Sequence, residues 1–270
     1  MNKIAHISDL HFGKTNPEVV ERLVAKLCEL EADILVVSGD LTQRARSSQF
    51  KEARALLDRL PHPQLIVPGN HDVPLYNLPM RLMNPYANHI AAFGDNLEPV
   101  CRHADCLIIG LKTTRRYRHK HGEISDRQIE RVRELLIAAE PDQLRLVVAH
   151  HPFYVERKQD RKDLLRGGLP ALREWSRAGA DLILGGHIHF PYISPLHRRI
   201  EEIIQPTWVV QAGTAVSRRI RWNAGNSVNM IHYRPTTEDR ACTVERYEYD
   251  GRERRFIRAE NQALELRSSP

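Results

Sequence analysis

Five short apolar runs in this chain each end on residues that bind metals, and this repeated coincidence constrains the fold more than any other feature. Ile4-Ala5-His6-Ile7 leads into Ser8-Asp9-Leu10-His11, and Asp33-Ile34-Leu35-Val36-Val37-Ser38 leads into Gly39-Asp40. Gln64-Leu65-Ile66-Val67-Pro68 leads into Gly69-Asn70-His71-Asp72. Leu144 to Ala149 leads into His150-His151-Pro152, and Asp181-Leu182-Ile183-Leu184 leads into Gly185-Gly186-His187-Ile188-His189. A short continuous apolar run is the mark of a strand buried on both faces of a parallel sheet. Open α/β sheets gather their ligands outside the carboxyl ends of such strands. If the pleat persists past Ile7, Asp9 and His11 share one face. Alone, that pair reads more readily as a surface loop; five such endings leave little room for coincidence.

The order of elements supports an α/β fold. Apolar residues at Val20, Leu23, Val24, Leu27 and Leu30 have helical spacing, with Asn16 as N-cap and Pro17 at the first helical position. A second helix is expected over about Ser48 to Leu60, stopped by Pro61 and Pro63. The β-α-β-α-β opening implies a parallel sheet. The proline-broken stretch from Val73 to Pro99 reads as irregular loop and short helix, either at the site mouth or as a surface excursion. Cys106 to Leu111 is another strand, and Ser125 with Gln128 forms a capping box for a helix to about Ala139. A further helix is expected from about Leu169 to Ala178. The β-rich part, about 206–258, is expected to add antiparallel strands to a second sheet, and the end, Arg267 to Pro270, reads as frayed. The 270 residues read as one domain, 1–270, with the motifs at 9–189.

Composition excludes rather than identifies. No apolar run of about 18 residues appears, so no membrane span is expected. Met1-Asn2-Lys3-Ile4 enters the first strand at once and leaves no room for a signal peptide. Four cysteines without Cys-x-x-Cys spacing read as reduced thiols, so a cytoplasmic protein is expected. A net charge of +6 suits an anionic substrate and equally a plain soluble protein, and is too diffuse to argue for nucleic acid. A homo-oligomer is left open.

The order Asp-x-His, Gly-Asp, Gly-Asn-His-Asp, His, Gly-His-x-His, from Asp9 to His189, resembles the calcineurin-like metallophosphoesterase superfamily. Within it, the short loops resemble the bacterial cyclic-nucleotide phosphodiesterase and glycerophosphodiesterase group. The resemblance implies two packed mixed β-sheets flanked by helices, a four-layer α-β-β-α sandwich. It also implies a dinuclear-metal hydrolase of phosphate esters, foremost a phosphodiesterase on a 3′,5′-cyclic nucleotide or glycerophosphodiester. A phosphomonoesterase, nuclease or nucleotide-lipid pyrophosphatase is the alternative, and a non-catalytic scaffold a further one. No long basic track or amphipathic basic helix favours nucleic acid or lipid, and the retained histidines disfavour a scaffold.

By the same resemblance, metal one takes Asp9, His11, Asp40 and His189, while metal two takes Asp40, Asn70, His150 and His187, with Asp40 bridging. Two-metal phosphoesterases hold their ions about 3.5–4 Å apart. Nitrogen and oxygen donors without thiolate suit Mn, Fe, Zn or Co. His71 is expected to face the phosphoryl oxygens or the leaving group, with Asp72 orienting it; a packed core histidine is the bland alternative. His6 and His151 read as packing or supporting residues. Arg115, Arg116, Arg118, Arg218, Arg219 and Arg221 are candidates for a second anionic group of the substrate or are solvated surface. The charged run 156–166 either overhangs the site or is a solvated loop.

Overall fold

The computed structural model describes residues 1–222, 224–235 and 240–267. Parallel strands β1 (Asn2–Ile7), β2 (Ile34–Val37) and β3 (Gln64–Ile66) alternate with helices α1 (Pro17–Leu30) and α2 (Ser47–Leu57). Two short helices, α3 (Leu78–Met83) and α4 (Ala87–Phe93), occupy the proline-broken stretch. Strands β4 (Val100–His103), β5 (Cys106–Leu111), β6 (Leu144–Ala149) and β7 (Leu182–Gly185) follow, with α5 (Asp126–Ile137) and α6 (Gly168–Arg177) between them. The chain closes with β8 (Tyr192–Pro195), β9 (Trp208–Gln211), β10 (Ser227–Pro235), β11 (Arg240–Asp250) and β12 (Arg255–Leu264). Asn16 caps α1, and Ser125 and Gln128 form the capping box of α5, as their sequence signals predict.

These strands form two six-stranded sheets, ordered β12-β11-β10-β1-β2-β3 and β4-β5-β6-β7-β9-β8. Side chains alternate between two cores, as the strand period requires. On β2, Ile34 and Val36 face the second sheet, whereas Leu35 and Val37 pack under α1 and α2. On β6, Leu146 and Val148 face the first sheet, whereas Val147 and Ala149 pack under α5 and α6 with Trp175. Three apolar layers therefore separate four layers of structure, the α-β-β-α sandwich expected.

The C-terminal strands depart from expectation. β10, β11 and β12 extend the first sheet rather than the second, because β10 pairs antiparallel with the open edge of β1. The β-rich part also runs beyond residue 258, to Leu264. Edge strand β12 buries only Phe256 and Leu264, so its sequence carries little apolar alternation. Of the end expected to fray, Arg267 to Pro270, residues 268–270 lie outside the described residues. Among those residues no helix is long and apolar enough to cross a membrane.

Candidate metal centre

The strand ends β1, β2 and β3 of one sheet meet β6 and β7 of the other, and the candidate ligands follow them directly. The pleat does not carry Asp9 and His11 onto one face, as the spacing suggested. Instead the backbone turns left-handed at Asp9 (φ 54°), His11 (49°), Asp40 (52°), His187 (74°) and His189 (55°). Such backbone costs a non-glycine residue about 1–3 kcal/mol and persists only where the surroundings enforce it. Here Asp9 N donates to Gly39 O (3.0 Å), His11 N to Asp40 O (2.9 Å) and His187 N to Asp9 Oδ2 (2.8 Å). Gly39 is required between them: its φ is +95°, and a Cβ would stand 2.7 Å from His150 Nδ1.

Two clusters result. In the first, His189 Nε2 lies 3.0 Å from Asp9 Oδ1 and 2.9 Å from His11 Nε2. In the second, His150 Nε2 lies 3.4 Å from Asp40 Oδ1, 3.3 Å from Asn70 Oδ1 and 3.3 Å from His187 Nδ1. Asp40 joins them, with Oδ2 3.7 Å from His11 Nε2 and Oδ1 toward His150. The far ring nitrogens are anchored: His150 Nδ1 donates to Ser38 O (2.8 Å) and His189 Nδ1 to Arg219 O (2.6 Å). These bonds leave the Nε2 lone pairs facing inward.

The electrostatics call for cations here. Asp9 and Asp40 are 0% and 1% exposed, and among the described residues their ion-pair partners are histidines only. Asp9 Oδ1 accepts no hydrogen bond. Burial pushes the Asp9 and Asp40 carboxyls up, but the surrounding imidazoles outweigh it and hold both well below the usual carboxylate range. Burial lowers His150, yet the Asp40 and Asp9 carboxylates raise it to about 9, the signature of a site that attracts positive charge. His11 and His187 are lowered to about 4, mainly by burial, and so are neutral ligands at pH 7. Buried carboxylates and neutral imidazoles fit first-row metal ions. The sets Asp9/His11/His189 and Asp40/His150/His187 each bring their ligand atoms within 4.8 Å of one another, as does His11/Asp40/His71.

The residues around the ligands divide clearly. His71 Nδ1 donates to Gln43 O (2.9 Å), and its Nε2 lies 3.0 Å from Arg219 Nη1. Asp72 does not orient the His71 ring, contrary to expectation. Its buried carboxylate accepts from the backbone N–H groups of Leu41, Thr42 and Gly69, bracing the turns that present Asp40 and Asn70. His151 is occupied at both nitrogens by Thr113 Oγ1 (2.7 Å) and Lys120 O (3.0 Å), and His6 Nε2 meets Ser38 Oγ (2.9 Å), so both are supporting residues. Of the arginine candidates, Arg115 bonds Gln128 and Arg118 pairs with Glu123, Arg116 reaches Leu82 O, and only Arg219 reaches the clusters. Sequence reasoning missed Asp163. Its buried carboxylate pairs with Lys120 Nζ (2.5 Å) and faces His187 Nε2 at 3.9 Å. The mixed-charge run around it, which ends at Asp163 as the 3₁₀ helix Lys158–Asp163, hid the signal.

The family model of calcineurin-like phosphoesterases matches residues 2–191, and the chain belongs to that family. Over 80 residues it is 36% identical to the glycerophosphodiester phosphodiesterase GpdQ of Enterobacter lignolyticus, a match covering 26% of this chain and 29% of that protein. It is 26% identical over 244 residues to a "probable cyclic nucleotide phosphodiesterase" of Pseudoalteromonas sp., covering 85% and 87%. Among solved structures, a purple acid phosphatase from yellow lupin aligns with TM-score 0.66 at 12% identity. That alignment covers 92% of this chain and 51% of the lupin chain, about half its length. A Vps29 variant from Entamoeba histolytica aligns with TM-score 0.51 at 14% identity, covering 97% and 99%. These two likenesses speak for the fold alone. Family and clusters together indicate a dinuclear metal centre and support a metal-dependent phosphoesterase.

Proposed function

We propose that the whole chain acts as one domain that hydrolyses a small phosphodiester at a two-metal centre. One cation would be held by Asp9, His11, Asp40 and His189, the other by Asp40, Asn70, His150 and His187. The observation that carries this reading is Asp40, whose two carboxylate oxygens turn to different clusters. Bound cations of this kind neutralise phosphate charge and lower the pKa of a water from 15.7 toward about 7. The chain's own groups do the rest. Ser38 O and Arg219 O fix the ligand imidazoles, and the strained strand ends hold the donors at their spacing. Water attacks phosphorus directly: the new P–O bond comes from water, which releases one proton to solvent, the ester P–O bond breaks, and His71 in its doubly protonated form, with Arg219 turned from Nε2 to the substrate, gives its Nε2 proton to the departing oxygen. Proton donation of this kind contributes about 10²–10⁴-fold. The names of the relatives favour a glycerophosphodiester or cyclic nucleotide as substrate.

A panel of phosphomonoesters, linear diesters and cyclic nucleotides, assayed with Mn²⁺, Zn²⁺ or Fe²⁺, tests the class. Diesters should turn over fastest. Single-turnover hydrolysis in ¹⁸O-water should place the label directly in the product phosphate. Unlabelled product in the first turnover would overturn direct attack by water.

A further inference from the structure

Beyond His71 lies a pocket of about 520 Å³ whose lining includes Lys14, Gln43, Arg44, Arg46, His71 and Arg219. No carboxylate lines it. Among the described residues, Lys14, Arg44, Arg46 and Arg219 have no acidic partner within ion-pair distance. This contrasts with Arg54, Arg59, Arg118, Arg133 and Arg173, each paired with an aspartate or glutamate. Lys14, Arg44 and Arg46 stand at the exposed mouth, while Arg219 is partly buried. Arg44 is steadied by its guanidinium lying 5.1 Å from the Tyr76 ring centre, which uses no hydrogen-bond donor. Arg219 Nη1 touches His71 Nε2 at 3.0 Å and Gln43 Oε1 at 3.4 Å, so it joins the pocket to the reacting end. Arg219 feels the buried Asp9 and Asp40 carboxylates behind it, but Lys14, Arg44 and Arg46 line the same concave wall with no carboxylate among the lining residues, and like charges so placed repel one another unless an anion sits between them.

We infer that this pocket binds a second anionic group on the departing half of the substrate, so that the preferred diester carries a phosphate or carboxylate beyond the scissile phosphate. The inference rests on the reading of His71 as proton donor, which puts the leaving alcohol on this side. Arg219 holds the alcohol near the proton that His71 donates, and Arg44, Arg46 and Lys14 take the distal charge. A cyclic nucleotide or a diester of an uncharged alcohol leaves these groups unused. Guanidinium groups suit the task because their planar fork matches two anion oxygens.

The test uses the metal-loaded full chain and two synthetic diesters, methyl 3-hydroxypropyl phosphate and the same compound phosphorylated at its distal hydroxyl. Release of methyl phosphate, followed by ³¹P NMR, reports departure of the propyl side in both. The phosphorylated diester should show a kcat/KM at least roughly tenfold higher, a modest figure for charge-assisted bonds at a half-open site. In Arg44→Gln/Arg46→Gln the ratio should collapse toward one, while in Arg252→Gln, on the distant β11–β12 turn, it should persist. Binding gives a second readout: 3-hydroxypropyl phosphate, titrated calorimetrically into the metal-loaded protein, should bind saturably to the wild type and at least tenfold more weakly to the double variant. Equal cleavage of both diesters by the wild type would overturn the pocket's role and leave the phosphodiesterase reading intact. Saturable binding that responds to the double variant, with neither diester cleaved, would uphold the anion pocket and sink the catalytic reading. A ratio unchanged in the double variant would also overturn the inference.

Discussion

The two sheets contribute unlike chemistry to one seam. The first sheet supplies every candidate oxygen ligand, Asp9, Asp40 and Asn70, with His11 and His71 beside them, whereas the second supplies candidate imidazoles only: His150, His187 and His189. Two of the three candidate clusters draw on both, since Asp9 and His11 meet His189 while Asp40 meets His150 and His187; the third, His11/Asp40/His71, lies on the first sheet's strand ends. Neither of the two clusters that share Asp40 is complete on one sheet. The apolar layer between the sheets, with Ile4, Val36 and Leu65 against Ile108, Leu146 and Leu184, is therefore what sets the ligand spacing. The antiparallel strands β10, β11 and β12 carry no candidate ligand; they close the edge of β1.

Breaking the shared residue should have the largest effect. Asp40→Ala should disturb both ions and lower activity by at least about 10³-fold, several kcal/mol of lost charge stabilisation; elemental analysis and diester turnover check it. A folded Asp40→Ala protein with full metal content would show that the sheets grip their ions independently. Next comes His71→Ala, which should keep both ions and lower kcat by about 10²–10⁴-fold on esters with poor leaving groups. The loss should be much smaller for p-nitrophenyl esters; an equal loss across a leaving-group series would make His71 a phosphoryl-oxygen contact instead. Asp163→Asn probes the second sheet's side. It should weaken one ion by about 10–100-fold, with activity recovering at high metal concentration, because the carboxylate acts through His187. Metal affinity unchanged in Asp163→Asn would make the Lys120–Asp163 pair a loop tether only.

The smallest effect tests a histidine outside the seam. His89 is buried beside Phe50 and Phe93 with neither nitrogen bonded, and burial lowers its pKa to about 4. The folded state stays neutral at His89, while the unfolded chain takes up a proton below pH 6.5. Stability should therefore fall as pH drops from about 6.5 to about 4 and level off below, by about 3 kcal/mol at most. Denaturant unfolding of the wild type and His89→Phe at pH 7.5 and 5 should show the variant losing less. Parallel losses in both would remove His89 from the account.

Much of this was legible in residues alone because the parallel half is written in continuous apolar runs, and each run ends on its ligand. α1 was readable to its ends because Asn16 and Pro17 mark its start. The edge strands β4 and β12 were not readable, since a strand half open to water needs no apolar run, and β8, though buried, is four residues long and carries Ser194 and Pro195. The left-handed turns at five ligands were invisible because only glycine advertises positive φ in a sequence. Asp72 was misassigned since adjacency to His71 does not say which way a carboxylate turns, and here backbone amides claim it. Asp163 was lost among the charges around it, and Arg219 was one of six arginines until the fold brought it to His71.

The central claim is one ion per cluster, coupled through Asp40. The most direct measurement is manganese content together with electron paramagnetic resonance of the Mn²⁺-loaded protein. The account predicts about two Mn per chain and an exchange-coupled multiline spectrum, as for ions about 3.5–4 Å apart. One Mn per chain, or two giving only the six-line spectrum of isolated Mn²⁺, would contradict it.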